Sequence, residues 1–233
     1  MQLRIAVVIN DDQVPPDLLK GQLPGAVLHP AREGLPAFGS FDGLIVLGGA
    51  MSVEDTDRAP WLPELGRLMI DCSVAGTPVV AICLGAQLLA VAGGGRVQVG
   101  AWAGPERGLI RVRLRPEAAG DPILAGVESA LGDEFWAPSM HHDAIAELPP
   151  DAQWLASSAQ YPFQAFRVGS ALGLQFHPEA GRGTMLSWGR QLGLDTVALK
   201  TDLDRHLTEL ATLADTVAAG FRSQVDSAMR QRQ

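Results

Sequence analysis

Val79-Val80-Ala81-Ile82-Cys83-Leu84-Gly85-Ala86-Gln87 is the stretch whose pattern decides the architecture. Its first four residues are apolar without alternation, as expected for a short strand covered on both faces. A helix follows, and a thiol stands at the corner between the two. A cysteine at a sharp strand-to-helix turn, with glycine two residues on, has the arrangement of a nucleophile elbow. The turn exposes the side chain, and the N–H groups and dipole of the helix N-terminus favour the reactive thiolate. An isolated free cysteine is more often a small buried hydrophobe, so this reading depends on partners elsewhere in the chain. Cys72, in the last turn of an apolar-periodic helix, has no such setting and reads as core.

Working outward, Leu3 to Asn10, Ala26 to Leu28 and Gly43 to Leu47 are further nearly continuous apolar runs, and Trp61 to Val74 carries Leu62, Leu65, Leu68 and Met69 at helical spacing. The first half therefore predicts a doubly wound α/β unit, a mostly parallel sheet with helices on both faces. From Leu109 onward Leu109 to Leu114, Glu134 to Pro138, Gln153 to Ala156, Gln164 to Val168 and Ala171 to Phe176 are strand-like. Loops rather than helices are expected between them, forming a small antiparallel excursion from the parallel sheet. The tail differs again: Leu203, Leu207, Leu210, Leu213, Val217, Phe221 and Val225 recur at three- and four-residue steps and describe an amphipathic helix, with Gly220 as a candidate break. The chain thus divides into a main domain over residues 1–190 and a helical extension over 191–233. The apolar stripe of the extension is expected to pack on its own domain, with a homodimer or partner helix as the alternative.

Composition narrows the function. The 233 residues are 47% hydrophobic and 19% charged, which argues for a packed globular chain. The 26 acidic and 18 basic residues give a net charge of −8, which argues against a nucleic-acid or anionic-membrane surface and for a small polar substrate or a protein partner. Cys72 to Gly95 runs 24 residues without a charge, but Gly76, Thr77, Pro78, Gly85, Gln87 and the Gly93-Gly94-Gly95 triplet divide it too often for a membrane span. Ile5 to Ile9 is too short for a signal peptide, and two cysteines are too few for a disulfide framework, so a cytoplasmic protein with free thiols is expected.

Two further segments supply partners for Cys83. In Gly173-Leu174-Gln175-Phe176-His177-Pro178-Glu179 an extended backbone would turn His177 and Glu179 to one side, so that the carboxylate orients the imidazole and a Cys-His-Glu triad is complete. Leu44-Ile45-Val46-Leu47-Gly48-Gly49-Ala50-Met51-Ser52 is a buried strand ending in two glycines, and the N–H groups of Gly49 and Leu84 would give an oxyanion two donors.

Leu-Gly-Gly, the cysteine elbow continuing Leu-Gly-Ala-Gln, and Gln-Phe-His-Pro-Glu, in this order, resemble the class I glutamine amidotransferases over about Leu3 to Trp188. That family includes the amidotransferase domain of GMP synthetase. Pro-Glu-Arg-Gly at 105–108 is similar to its Glu-x-Gly, and Met-His-His-Asp at 140–143 to its Ser-His-Gly-Asp. The resemblance implies a flavodoxin-like fold and an amide hydrolase without metal or other cofactor. Cys83 is then the nucleophile, His177 the general base and acid, Glu179 the orienting acid, and Gly49 with Leu84 the oxyanion hole. Gln87, Met51, Ser52, His141, His142, Asp143 and Glu106 are the implied substrate contacts. For Gln87 a solvated helix face competes with that role, for His141 and Asp143 a solvated loop, and for Glu106 a surface turn. Two positions depart from the family pattern: Ala81 replaces the first glycine of the elbow, and His142 stands where the family often has glycine. No Gly-x-x-x-x-Gly-Lys phosphate loop is present to activate an acceptor. The expected activity is glutamine hydrolysis through a Cys83 thioester, with ammonia passed to an acceptor synthase. A free-standing hydrolase of another γ-glutamyl compound and a noncatalytic binding or regulatory module are the alternatives.

Overall fold

The computed structural model describes residues 3–232. In chain order the first half contains β1 (Ile5–Ile9), α1 (Asp17–Gln22), β2 (Val27–Pro30), β3 (Gly43–Val46), α2 (Leu62–Val74), β4 (Val79–Ile82), α3 (Leu84–Ala92) and β5 (Arg96–Gln98). The second half contains β6 (Glu106–Leu114), α4 (Leu124–Leu131), β7 (Glu134–His141), β8 (Ala144–Glu147), β9 (Gln153–Ser158), β10 (Ala165–Val168), β11 (Ala171–Leu174), α5 (Arg182–Gln191) and α6 (Thr196–Gln231). Nine strands form one sheet in the order β2-β1-β3-β4-β11-β10-β9-β6-β7. The neighbours from β2 to β11 run parallel, and those from β11 to β7 run antiparallel. The antiparallel excursion is therefore continuous with the parallel sheet, and β11 returns to its middle.

The apolar runs behave as strands buried on both faces. Ile5, Val7, Ile45, Val80 and Ile82 point into a core shared with α1, α4, α5 and α6, while Ala6, Val8, Leu44, Val46, Val79 and Ala81 point into a second core with α2 and α3. Alternate residues of each strand thus serve opposite layers, which is why no polar face shows in the sequence.

Several elements differ from the sequence expectation. A helix, α4, lies between β6 and β7 where only loop was expected, and α1 and the two-stranded β5–β8 sheet are also additional. β6 begins at Glu106 and β7 runs on to His141, so both ladders reach further than their apolar cores. α6 is continuous through Gly220. A Cβ there would stand 3.1 Å from the Ile123 Cα, so this glycine permits a close crossing beside α4 rather than breaking the helix. Asp195 caps α6 by accepting from the N–H groups of Val197 (2.9 Å) and Ala198 (3.1 Å). Its buried stripe, including Leu203, Leu210, Leu213, Val217, Phe221 and Val225, belongs to the same core as β1, β3 and β4. Among the described residues no helix is long and apolar enough to cross a membrane.

Candidate active site

β4 delivers Cys83 directly into the first turn of α3. Cys83 takes φ +51°, a left-handed conformation that costs a non-glycine residue on the order of 1–3 kcal/mol and that the surrounding packing must enforce. Gly85 explains the tightness of the corner: a Cβ there would lie 2.6 Å from the Val46 carbonyl oxygen, so only glycine lets α3 press on the end of β3. Ala81 is fully buried, paired in register with Val46 on one side and Gly173 on the other. Its methyl is accommodated in that setting.

His177 and Glu179 lie just beyond β11, and their side chains meet with Nδ1 2.7 Å from Oε1. The pairing does not arise from extended backbone. β11 ends at Leu174, and the chain bends so that the Ala180 N–H donates to the His177 carbonyl at 3.1 Å. This bend is clamped from two sides. The His177 N–H donates to the Pro138 carbonyl of β7 at 2.8 Å, and the Leu18 N–H of α1 donates to the Glu179 carbonyl at 3.0 Å. The Asp17 carboxylate accepts from the Gly181 N–H at 2.8 Å. The Trp188 indole of α5 packs edge-on against the His177 ring, with centroids 4.9 Å apart, and donates to the Gln13 carbonyl at 2.7 Å.

Electrostatics favour a charged imidazole. Burial alone pushes His177 down, but the Glu179 carboxylate and the Cys83 sulfur both raise it, and the balance lies at about 10. Glu179 is itself fully buried, and its Oε2 has no hydrogen-bond partner among the described residues, so its charge is answered chiefly by His177. With Nδ1 engaged by Glu179, Nε2 is the nitrogen free to serve Cys83.

The loop after β3 completes this side of the site. A Cβ on Gly48 would stand 3.0 Å from His177 Cε1 and 3.3 Å from Cys83 Cβ, so the glycine lets main chain approach both side chains. Asn10 donates to the Leu47 carbonyl at 2.8 Å and accepts from the Trp61 indole at 3.0 Å, while Asp11 accepts from the Ala50 N–H at 3.1 Å. Among the described residues the N–H groups of Gly49 and Leu84 have no acceptor. Leu84 is the first residue of α3, where N–H groups have no acceptor within the helix.

A cleft of about 460 Å³ brings together Cys83, His177, Gly49, Met51, Ser52, Gln87, His141, His142 and Asp143. Glu179, Glu106 and Leu84 do not line it: Glu179 stands behind His177, Glu106 behind His141, and Leu84 follows Cys83 at the start of α3. Glu106 is no surface turn but is buried, and it lies 3.0 Å from His141 Nε2. Gln87 is not solvated either, since its amide donates to the Asp143 carbonyl at 3.0 Å and to Gln175 Oε1 at 3.3 Å. His141 is likewise buried, whereas His142 projects into solvent with 62% of its side chain exposed. Asp11, Gln13, Arg107, Met140, Trp188, Gln191 and Leu192 also line the cleft and escaped the sequence reading. Asp11 was open to discovery, because ligands of such sheets sit outside the carboxyl ends of the strands and Asp11 closely follows β1. Trp188 carried no comparable signal.

Comparison with known proteins bears on the family and the fold. Residues 28–187 match the model of the family described as glutamine amidotransferase class-I. A glutamine-hydrolysing GMP synthase of Thermomicrobium roseum is 38% identical over 59% of this chain, which spans only 23% of that protein's length. A glutamine-hydrolysing GMP synthase subunit of Saccharolobus solfataricus is 33% identical over 64% of this chain and 73% of its own length. In fold, a crystal structure of a glutamine amidotransferase from Thermotoga maritima superposes with a TM-score of 0.84 at 21% identity, covering 97% of this chain and 99% of that one. With the family model matching well over half of its residues, the chain belongs to the class I glutamine amidotransferases.

Proposed function

We propose that this protein hydrolyses the γ-amide of glutamine through a γ-glutamyl thioester on Cys83 and passes the ammonia to a partner synthase. The observation that carries the reading is the Cys83 elbow at φ +51° facing a buried His177–Glu179 pair held at 2.7 Å. In the first step Cys83 Sγ attacks the γ-carbonyl carbon, and the carbonyl electron pair moves onto oxygen, where the N–H groups of Gly49 and Leu84 receive it. Collapse of this oxyanion breaks the C–N bond, and His177 Nε2 gives its proton to the departing nitrogen, which leaves as ammonia. A water then enters. His177 takes one of its protons as the oxygen attacks the thioester, and expulsion of Cys83 Sγ releases glutamate. Glu179 keeps the imidazole oriented and stabilises its charged form throughout.

The S. solfataricus relative is named as one subunit of a GMP synthase, which supports a separate acceptor-activating chain as the partner here. A second reading, hydrolysis of a larger γ-glutamyl compound without a partner, draws support from the cleft of about 460 Å³ with exposed His142 at its edge. The deciding experiment measures glutamate and ammonia release by the purified chain, with and without a synthase recovered from the source cell by pull-down. Turnover of glutamine stimulated by the synthase is the expected result. Full turnover of another γ-glutamyl amide, unaffected by any second protein, would replace the first reading with the second.

A further inference from the structure

Glu106 and His141 face one another across the end of the β6–β7 ladder, directly opposite in register although 35 residues apart in sequence. Their side chains are 5% and 1% exposed. The His141 ring is held on both sides by oxygen: Nε2 lies 3.0 Å from Glu106 Oε2, and Nδ1 lies 2.9 Å from the Asp143 carbonyl. A carbonyl oxygen can only accept, so Nδ1 carries a proton. Glu106 also faces two donors, the Ser158 hydroxyl at 2.6 Å on Oε1 and the Gln164 amide at 2.6 Å on Oε2. With Oε2 already accepting from the Gln164 amide, the contact between Oε2 and the ring places a proton on His141 Nε2 as well. The Tyr161 ring packs beside that of His141, tilted by 55° with centroids 5.4 Å apart.

We propose that Glu106 is a positioning residue for the substrate wall of the cleft: it holds His141 as a doubly protonated donor that fixes the Asp143 carbonyl and the turn around it. Gln87, from α3, donates to the same carbonyl at 3.0 Å, and Asp143 Oδ1 accepts from the Gly100 N–H at 2.9 Å. The His142 carbonyl accepts from the Ala101 N–H at 3.0 Å. The wall is therefore set by a charge pair whose members are satisfied by each other and by protein groups. Its influence on substrate is geometric, through where Met140, His142 and Asp143 stand relative to Cys83. Glu106, which does not line the cleft, builds the wall rather than contacts the substrate.

The test has two arms. Nitrogen NMR of the full chain carrying ¹⁵N-histidine, with the His141 signals assigned by their loss in His141→Gln, should show both ring nitrogens of His141 protonated at neutral pH. One of them should lose that signature in Glu106→Gln. The kinetic arm rests on the glutaminase reading above. Glu106→Gln should raise KM for glutamine by roughly tenfold or more while changing kcat less, because a wall displaced by a fraction of its contacts weakens alignment before it touches the triad. Alkylation of Cys83 by iodoacetamide, which needs no substrate wall, should keep its rate. Asp121→Asn, which breaks the buried Arg167–Asp121 pair far from the cleft, serves as the stability control and should lower Tm without moving KM. A bare ring nitrogen on His141, or a wild-type KM in Glu106→Gln, overturns the proposal. If Glu106→Gln does not fold, the wild-type spectrum decides alone. If the wild-type chain turns over no glutamine, the glutaminase reading fails and the spectrum still decides this one.

Discussion

Cys72 is fully buried inside α2, and burial, with the adjacent Asp71 carboxylate adding to it, pushes its thiol up to about 12. It stays protonated and unreactive at neutral pH, whereas Cys83 stands at a helix N-terminus beside a charged imidazole. A glutamine-like electrophile is therefore expected to label Cys83, and Cys83→Ala to abolish turnover while Cys72→Ala leaves most of it. Peptide mapping that finds the label on Cys72 and none on Cys83 would remove the nucleophile assignment. Glu179→Gln should preserve the fold and cost a factor on the order of 10² or more in rate, because the imidazole loses its orienting charge. The same substitution has a pH signature. The folded His177 value of about 10 lies above the ordinary 6.5, so the pair contributes stability that is complete below pH 6.5 and is lost as pH rises through about 10. Wild-type Tm should fall over that window by more than the Tm of Glu179→Gln. At this scale the proposed triad is legible in the sequence, because each member sits in a local motif. The surroundings of Glu106 are not, since Ser158 and Gln164 lie 52 and 58 residues away and meet it only through the sheet.

Strand β7 is held at its open edge by α6, where Glu209 accepts from the Trp136 N–H at 2.8 Å. That contact hides a backbone donor which would otherwise be available for pairing with another chain. The same helix covers β3, and its seat is tight: a Cβ on Gly43 would fall 2.5 Å from a Val225 methyl and 2.9 Å from the Phe221 ring. Phe221→Ala should therefore cost about 3–5 kcal/mol, as for other large buried aromatic truncations, and urea unfolding followed by far-UV CD would measure it. A loss below about 1 kcal/mol would mean that α6 contributes little to the core. The long helix and the parallel strands were legible because their apolar periods persist over many residues. Helix α4 was not, since Leu124–Leu131 is only 8 residues long and is interrupted by Gly126. A tight bend takes the place of the extended backbone expected to pair His177 with Glu179, because a spacing of two is compatible with both.

Over the whole molecule, β1, β3, β4 and β11 each end at the cleft, delivering Asp11, Gly49, Cys83 and His177 in turn, and β7 closes it from the antiparallel half. The loop at 48–52 lies at the rim of this cleft. If a partner synthase completes that loop, the isolated chain should be a slow glutaminase whose kcat rises on mixing with the synthase. A kcat that is already saturating and unmoved by the synthase would assign the rim to substrate alone. The strand order also carries a temporal meaning. β11 lies between β4 and β10, so about ninety residues emerge from the ribosome after β4 before its neighbour on that side exists. During synthesis β4 is an exposed sheet edge, a hazard for intermolecular pairing that ends when Ala171–Leu174 inserts. Cys83 meets His177 through that same insertion, so on the proposed mechanism the nascent Cys83 thiol has no imidazole to activate it until the sheet has closed.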